Sequence, residues 1–138
     1  MQRSSTMTPA TGPVQTILGE LDERLGIEFV HVSAERAVAT MPVAGNRQIT
    51  GSLHGGAYCT LAETLAALAA CEHAGDGRTA VSLDISATHT GRAAAGRVTA
   101  NCTAIRLGKS VAVYAIEIDD DEGRRVSTAR VTTVLRDA

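Results

Sequence analysis

Residues 48–74, QITGSLHGGAYCTLAETLAALAACEHA, decide the fold of this chain. The second half of the stretch is rich in Ala and Leu, which are strong helix formers, and it predicts one long helix beginning near the paired glycines. At about 100° per residue, Leu65 and Leu68 lie within about 40° of Leu61, so these three should pack against the rest of the protein. Glu63 interrupts this apolar helix about 200° away from Leu61.

The neighbours of Glu63 on the far side of the helix are all small: Gly56, Cys59, Ala66, Ala67 and Ala70. A solvated helix face normally carries Lys, Glu, Gln or Arg, so a small-residue face with one carboxylate indicates close approach by a ligand or a second subunit. The alternative is that Glu63 is an ordinary exposed helix former.

The rest of the chain predicts short elements around this helix. An amphipathic helix is expected from Pro13 to near Gly26, followed by strands at 27–32 and 35–42. After the long helix, Val81, Leu83 and Ile85 alternate with polar residues and predict a half-buried strand, and three further strands follow at about 96–106, 110–119 and 125–135. Strands joined by short turns indicate an antiparallel sheet, so the predicted class is α+β, with about six strands curved around one central helix.

Length and composition predict one domain. With 138 residues and 44% apolar content, the chain can bury a core; residues 1–13 are expected to be a disordered tail and 14–138 a single domain. Three widely spaced cysteines suggest a reducing, cytoplasmic location. A net charge of −2 and only three aromatic residues argue against nucleic-acid binding, and no stretch suits a membrane span.

Two glycines at a helix start are costly unless something must approach the backbone there. The free N–H groups of such an end can stabilise an oxyanion, although the glycines could equally serve a tight loop. Gly55 and Glu63 are eight residues apart, about 12 Å along the axis, so one carbonyl cannot easily contact both in one chain. If they share a site, two subunits must supply them, which predicts at least a dimer.

The stretch HGGAYCTLAETLAALA resembles the H-G-G-x-x-x-x-L-A-[DE] signature of hotdog-fold thioesterases of the phenylacetate-pathway and 4-hydroxybenzoyl-CoA type. The resemblance covers nearly the whole chain after the tail, because VSLDISATHTGRAAAGRV, RLGKSVAVYAIEIDDDEGR and STARVTTVL also match the later strands of the family in content and order. It implies a hotdog fold and an acyl-CoA thioesterase acting on a small acyl group. Glu at position 63 is more similar to the aryl-CoA branch.

The resemblance also implies roles for individual residues. Glu63 would be the nucleophile or general base, the Gly55 N–H of a partner subunit would polarise the thioester oxygen, and Gln48 and His54 would orient the carbonyl or assist the departing thiolate. Taken alone, His54 would be a loop histidine that caps a helix. Ala67 departs from the aryl-CoA enzymes, which commonly carry Ser or Thr there.

The coenzyme A part of the substrate would bind at two turns, and no separate cofactor is implied. The residues at these turns are His89, Thr90, Gly91, Arg92, Arg106, Leu107, Gly108, Lys109 and Ser110. Cations beside glycines suit phosphates, but ordinary exposed turn residues would look the same. A homodimer or a homotetramer is expected.

Other chemistries have weaker support in the sequence. The four histidines show no zinc-ligand spacing, so no metal is expected, and a local pair of Cys59 with His54 is disfavoured by its angle around the helix. A hotdog enoyl-thioester hydratase or dehydratase remains a minor alternative. A non-catalytic module that binds or senses acyl-CoA remains an alternative from a different class, although it would not need Glu63.

Overall fold

The computed structural model of the chain describes residues 18–138, which form two helices and six strands. In chain order they are α1 Glu20–Leu25, β1 Glu28–Val32, β2 Arg36–Pro42, α2 Gly55–Ala74, β3 Arg78–His89, β4 Arg97–Leu107, β5 Val111–Asp119 and β6 Arg125–Asp137. The strands form one antiparallel sheet in the order β1-β2-β4-β5-β6-β3. The predicted architecture, a six-stranded antiparallel sheet with one long helix, is therefore confirmed.

The first helix is shorter than the periodicity predicts. Residues 1–17, which hold the expected tail and the expected start at Pro13, lie outside the described residues. Leu18 and Gly19 are not helical, and α1 begins at Glu20 with an acidic first turn that suits the positive end of a helix. Gly26 ends α1 in the left-handed region at φ 74°, a conformation that glycine adopts without steric cost.

The long helix α2 is covered over more of its surface than the leucine stripe predicts. Leu61 and Leu65 are fully buried, but Leu68 is only half-buried, whereas Ala66 and Ala70 are fully buried. The buried residues of α2 span roughly 220° of its circumference at 100° per residue. The expectation that Ala66 and Ala70 face a partner is therefore wrong, because the curved sheet wraps around that side of the helix.

Strand β3 is an edge strand, and the expectation that its apolar residues would be covered is wrong for two of them. Val81 is 43% exposed and Leu83 is 70% exposed, whereas Ile85 packs partly against the core. The register against β6 shifts between Ser82 and Asp84, so one residue bulges and the alternation of faces is broken there. The free side of β3 leaves an apolar edge without a neighbour among residues 18–138.

The core lies between α2 and the concave face of the sheet. Its largest fully buried side chains include Met41, Tyr114, Ile116 and Val131, and the Tyr114 hydroxyl donates to the Ala34 carbonyl at 2.7 Å. No helix within residues 18–138 is long and apolar enough to cross a membrane.

Candidate active site

Glu63 lies on the exposed arc of α2 and lines a cavity of about 540 Å³, which we call the Glu63 cavity. The cavity lies between α2, α1 and the edge strand β3. Its walls are formed by Leu21, Asp22, Thr60, Glu63, Thr64, Ala67, Ala80, Val81 and Ser82. The carboxylate thus borders a space able to hold a small molecule.

The hydroxyl groups around this cavity differ in their hydrogen bonds. Thr60 donates to the Gly56 carbonyl at 3.0 Å, and Thr64 donates to Asp22 Oδ1 at 2.6 Å. Ser82 Oγ is buried and has no hydrogen-bond partner among the described residues. Since a buried unpartnered hydroxyl costs stability, Ser82 is an unusual residue beside the candidate carboxylate.

His54 is the N-cap of α2, which confirms the capping interpretation. Its Nδ1 accepts a hydrogen bond from the Gly56 N–H at 2.8 Å. A neutral imidazole that accepts at Nδ1 carries its hydrogen on Nε2, so the outer nitrogen of His54 is a donor. His54 also lines a second space of about 370 Å³, which we call the His54 cavity.

Gly55 is the first residue of α2, and its N–H forms no hydrogen bond with any of residues 18–138. The first N–H groups of a helix point out of its positive end, so this donor is available to a ligand. Glycine also leaves room for His89 here, because a Cβ at position 55 would lie 2.9 Å from His89 Nε2. An L side chain here would force His89 to move.

His89 lies beside the start of α2, where it remains exposed while its ring contacts residues that are buried. Its ring packs against that of Tyr58, with the ring centroids 5.0 Å apart, and its Nδ1 is 2.9 Å from Ser127 Oγ. Ser127 is fully buried, and burial also raises the pKa of Tyr58. His89 therefore fills the space that a side chain at Gly55 would occupy, beside the candidate oxyanion donor.

Gln48 lies in the loop that precedes α2. Its side-chain Nε2 donates to Ser52 Oγ at 2.9 Å, and its backbone N–H donates to the Ser52 carbonyl at 2.8 Å. Gln48 lines neither the Glu63 cavity nor the His54 cavity. Within one chain, the structure therefore does not bring Gln48 together with Glu63.

The turn after β3 is fixed to the start of β6. The backbone N–H groups of Thr90 and Gly91 both donate to the Val126 carbonyl, so neither is free for a phosphate. Arg92 donates to the Thr50 carbonyl at 3.2 Å, and its side chain remains exposed. Of these three residues, Arg92 is the one that offers a cation to a ligand.

The turn between β4 and β5 lies at the other end of α2. The Gly108 carbonyl is 2.7 Å from Nε2 of His73, in the last turn of that helix. Arg106, Lys109 and Ser110 are exposed. Because Gly55 and His73 are about 27 Å apart along the helix, the two candidate nucleotide-binding turns lie at opposite ends of one chain.

Cysteine and metal chemistry find no support around Glu63. Burial and, to a smaller extent, the charge of Glu63 raise the pKa of the Cys59 thiol, which disfavours the thiolate needed of a nucleophile. Residues 18–138 contain no group of three or more His, Cys, Asp or Glu side chains placed to hold a metal ion.

Several site residues were not identified from the sequence. Asp22 reaches Thr64 across 42 residues, and Ser127 reaches His89 across 38 residues. Ser82 appears in the sequence only as a polar residue of an alternating strand. These contacts depend on which elements pack together, and no local motif indicates them.

The amino-acid sequence of the chain is similar to those of known thioesterases. The family model described as "Thioesterase superfamily" matches residues 50–127, which include His54, Gly55 and Glu63. The chain is 39% identical over 121 residues to the proofreading thioesterase EntH of Cronobacter turicensis, covering 87% of this chain and 88% of that protein. It is 38% identical over 112 residues to the 1,4-dihydroxy-2-naphthoyl-CoA hydrolase of Escherichia coli, covering 80% and 82%.

Solved structures agree with these matches. The crystal structure of a thioesterase from Haemophilus influenzae superimposes with a TM-score of 0.81 at 36% identity, covering 85% of this chain and 82% of that one. The six-stranded sheet around α2 is thus the hotdog fold. With the family model matching more than half of the chain, the protein belongs to the thioesterase superfamily and is a thioester hydrolase of the hotdog type.

Proposed function

We propose that the protein hydrolyses a small acyl-CoA, aromatic acyl groups included, to the free acid and coenzyme A. The observation that carries this proposal is the position of Glu63, an exposed carboxylate on a helix rich in Ala and Leu, which borders a cavity of about 540 Å³. Two similar proteins support the reaction class, since one is called a proofreading thioesterase and the other a CoA hydrolase.

As a general base, Glu63 accepts a proton from water while the water oxygen attacks the thioester carbon. The carbonyl electrons move to the oxygen, where the free Gly55 N–H of a second subunit stabilises the negative charge. When the C–S bond breaks, its electron pair stays on sulfur, which takes from Glu63 the proton that water gave up, while the Nε2–H of His54 can donate a hydrogen bond to the departing sulfur.

As a nucleophile, Glu63 itself attacks the carbon and forms a mixed anhydride as the thiolate leaves. Water then hydrolyses the anhydride and restores the carboxylate. Both routes use the same donors; solvent oxygen found in Glu63 after a single turnover in labelled water would establish the nucleophilic route, because that oxygen enters Glu63 when water attacks the Glu63 carbon of the anhydride.

Two chains are needed for this site. The helix α2 is continuous from Gly55 to Ala74, so Gly55 and Glu63 of one chain are separated by about 12 Å along its axis. The open edge of β3, with Val81 and Leu83 exposed, supports pairing with the same edge of a second copy. A twofold axis there reverses the direction of the second α2, and a pair of such dimers would form a homotetramer.

The antiparallel arrangement of the two α2 helices would also assemble a coenzyme A site. The two turns lie at opposite ends of α2 in one chain, so they approach one nucleotide only from different chains. Arg92 of one subunit and Arg106 with Lys109 of another would then meet the phosphates, beside His89, Thr90, Gly91, Gly108 and Ser110. The three free cysteines support a cytoplasmic location, with residues 14–138 acting as a single domain.

The direct test is release of free thiol from a panel of aryl- and alkyl-CoA thioesters. We expect Glu63→Gln to lower kcat by about 10² to 10⁴-fold, the range for a lost general base, with larger losses for a lost nucleophile. Glu72→Gln is the matched control, because Glu72 is another exposed glutamate of α2 that lines neither cavity. Equal activity of wild type and Glu63→Gln on every substrate would remove Glu63 from the mechanism.

A mixing experiment tests the two-chain site. Equal amounts of Glu63→Gln and Gly55→Pro chains, unfolded and refolded together, form mixed dimers in which one of the two sites keeps both groups. About one quarter of wild-type activity is then expected from statistical pairing. If both groups act within one chain, every site carries a defect and the mixture stays inactive.

Binding of the CoA panel without hydrolysis by either wild type or Glu63→Gln would contradict the proposed reaction and favour a binding module instead.

A further inference from the structure

The short helix α1 separates the two cavities on the exposed side of α2. Leu21 lines both the Glu63 cavity and the His54 cavity, and Thr60 of α2 is the other residue that they share. Leu21 is 55% exposed, so it contributes little to the core. The Leu21 side chain therefore lies between the Glu63 cavity and the His54 cavity.

Two hydrogen bonds hold α1 in place. In its first turn, Asp22 Oδ1 accepts from the Thr64 hydroxyl at 2.6 Å. At its last residue, the Leu25 carbonyl accepts from Asn46 Nδ2 at 2.7 Å, and Asn46 is itself buried. Because α1 has only six residues, buries none of them fully and packs only partly against the core through Leu25, these two bonds help to fix its position.

The first of these anchors is adjacent to the reacting carboxylate. Thr64 follows Glu63 directly, so the Asp22 to Thr64 bond sets the distance from Glu63 to the Leu21 side chain. An acyl chain whose carbonyl carbon lies at Glu63 extends into the Glu63 cavity, whose walls include Ala67, Ala80 and Val81. Leu21 then limits how far the chain can extend towards the His54 cavity.

We propose that Leu21 is the residue that sets the maximum length of the acyl group, and that Asp22 and Thr64 position it. This inference rests on the proposed acyl-CoA hydrolysis. It restricts the substrates to CoA thioesters whose acyl group is short enough to fit between Glu63 and Leu21. Longer acyl chains clash with the Leu21 side chain, which weakens the binding of both the substrate and the transition state.

The test is kcat/KM for straight-chain acyl-CoA thioesters of increasing length. Leu21→Ala joins the two cavities, and we expect the ratio of long-chain to short-chain kcat/KM to rise by about tenfold or more, as for contacts of a few methylenes. Leu21→Phe narrows the passage and should lower the same ratio. Val30→Ala is the control, because Val30 is a similarly exposed aliphatic residue that lines neither cavity.

The positioning role has its own readout. Thr64→Val removes the hydroxyl that donates to Asp22 and should raise the long-to-short ratio in the direction of Leu21→Ala, while Thr64→Ser keeps the hydroxyl and should restore the wild-type ratio. A ratio that stays within about twofold of wild type in both Leu21 variants overturns the inference, since one missing methylene alone is worth more. Failure of wild type to hydrolyse any CoA thioester would instead overturn the proposed function, so the two failures are distinguishable.

Discussion

The free N–H of Gly55 can be removed without breaking α2. Gly55 is the first helical residue, and proline is well tolerated there because its missing N–H belongs to a group with no helical partner. His54 has φ −64° and ψ 134°, the extended conformation favoured before proline. Gly55→Pro therefore deletes the proposed oxyanion donor and keeps the helix.

A matched variant, Gly55→Ala, separates the loss of the N–H from the steric effect of adding a side chain at position 55. Gly55→Ala keeps the N–H but introduces a Cβ 2.9 Å from His89 Nε2, a contact that proline also makes. Displacement of the exposed His89 ring should disturb its contacts with Tyr58 and Ser127 and lower the free energy of unfolding, partly offset by up to about 1 kcal/mol from the higher helix propensity of Ala. Thermal unfolding of both variants measures this shared steric cost.

The difference between the variants isolates the N–H group. Loss of one oxyanion donor lowers kcat by about 10²–10³-fold, so Gly55→Pro should fall below Gly55→Ala by that factor. Because the bond strengthens only as charge develops on oxygen, kcat and kcat/KM should fall together in a thiol-release assay. Equal kcat values for the two variants would refute the assignment of Gly55 as the donor.

Three further predictions follow from the site and the core. His54→Asn should keep the helix cap yet lose most of the thioesterase activity, whereas His54→Ala should also lower the free energy of unfolding, measured with urea, by about 1 kcal/mol. Full activity of the Asn variant would exclude a catalytic role for the His54 Nε2. Ser82→Ala removes a buried hydroxyl without a partner among residues 18–138 and should raise the free energy of unfolding by about 1 kcal/mol; a similar decrease would show that the hydroxyl is bonded in the native assembly. Burial raises the pKa of Cys102 from 9.0 to about 12, so the native state holds this proton where the unfolded state releases it. The stability from Cys102 is complete below pH 9 and should fall by about 1.4 kcal/mol per pH unit between pH 9 and 12. Cys102→Ala should flatten that part of the stability curve, and an unchanged slope would contradict the reasoning.

Local patterns were sufficient for most of the elements. The Ala and Leu content of residues 55–74 and the alternation in the later segments depend only on side chains a few positions apart, which is why the long helix and the succession of strands along the chain are predictable. The capping role of His54 is equally local, since its bond to Gly56 spans two residues. The start of α1 could not be predicted from local sequence, because Leu18 is apolar at the right spacing and still not helical.

The buried arc of α2 could not be predicted from its own sequence. Leu68 is larger and more apolar than Ala70, yet Leu68 is half-buried and Ala70 fully buried. Which side is covered depends on how far the sheet curves, and that curvature results from the twist and pairing of all six strands. The same cause leaves Val81 and Leu83 exposed on the edge strand.

The thioesterase motif follows from the order of the residues, with Glu63 on a small-residue helix and Gly55 at its start. The distance of about 12 Å between these two residues follows as well, because helical rise depends only on residue count. Three other features depend on tertiary packing: His89 fills the space beside Gly55, Asp22 accepts a hydrogen bond from Thr64, and Leu21 divides two cavities. The first two contacts join residues 34 and 42 positions apart in the chain, and all of them form only when the sheet wraps around α2 and buries its apolar arc.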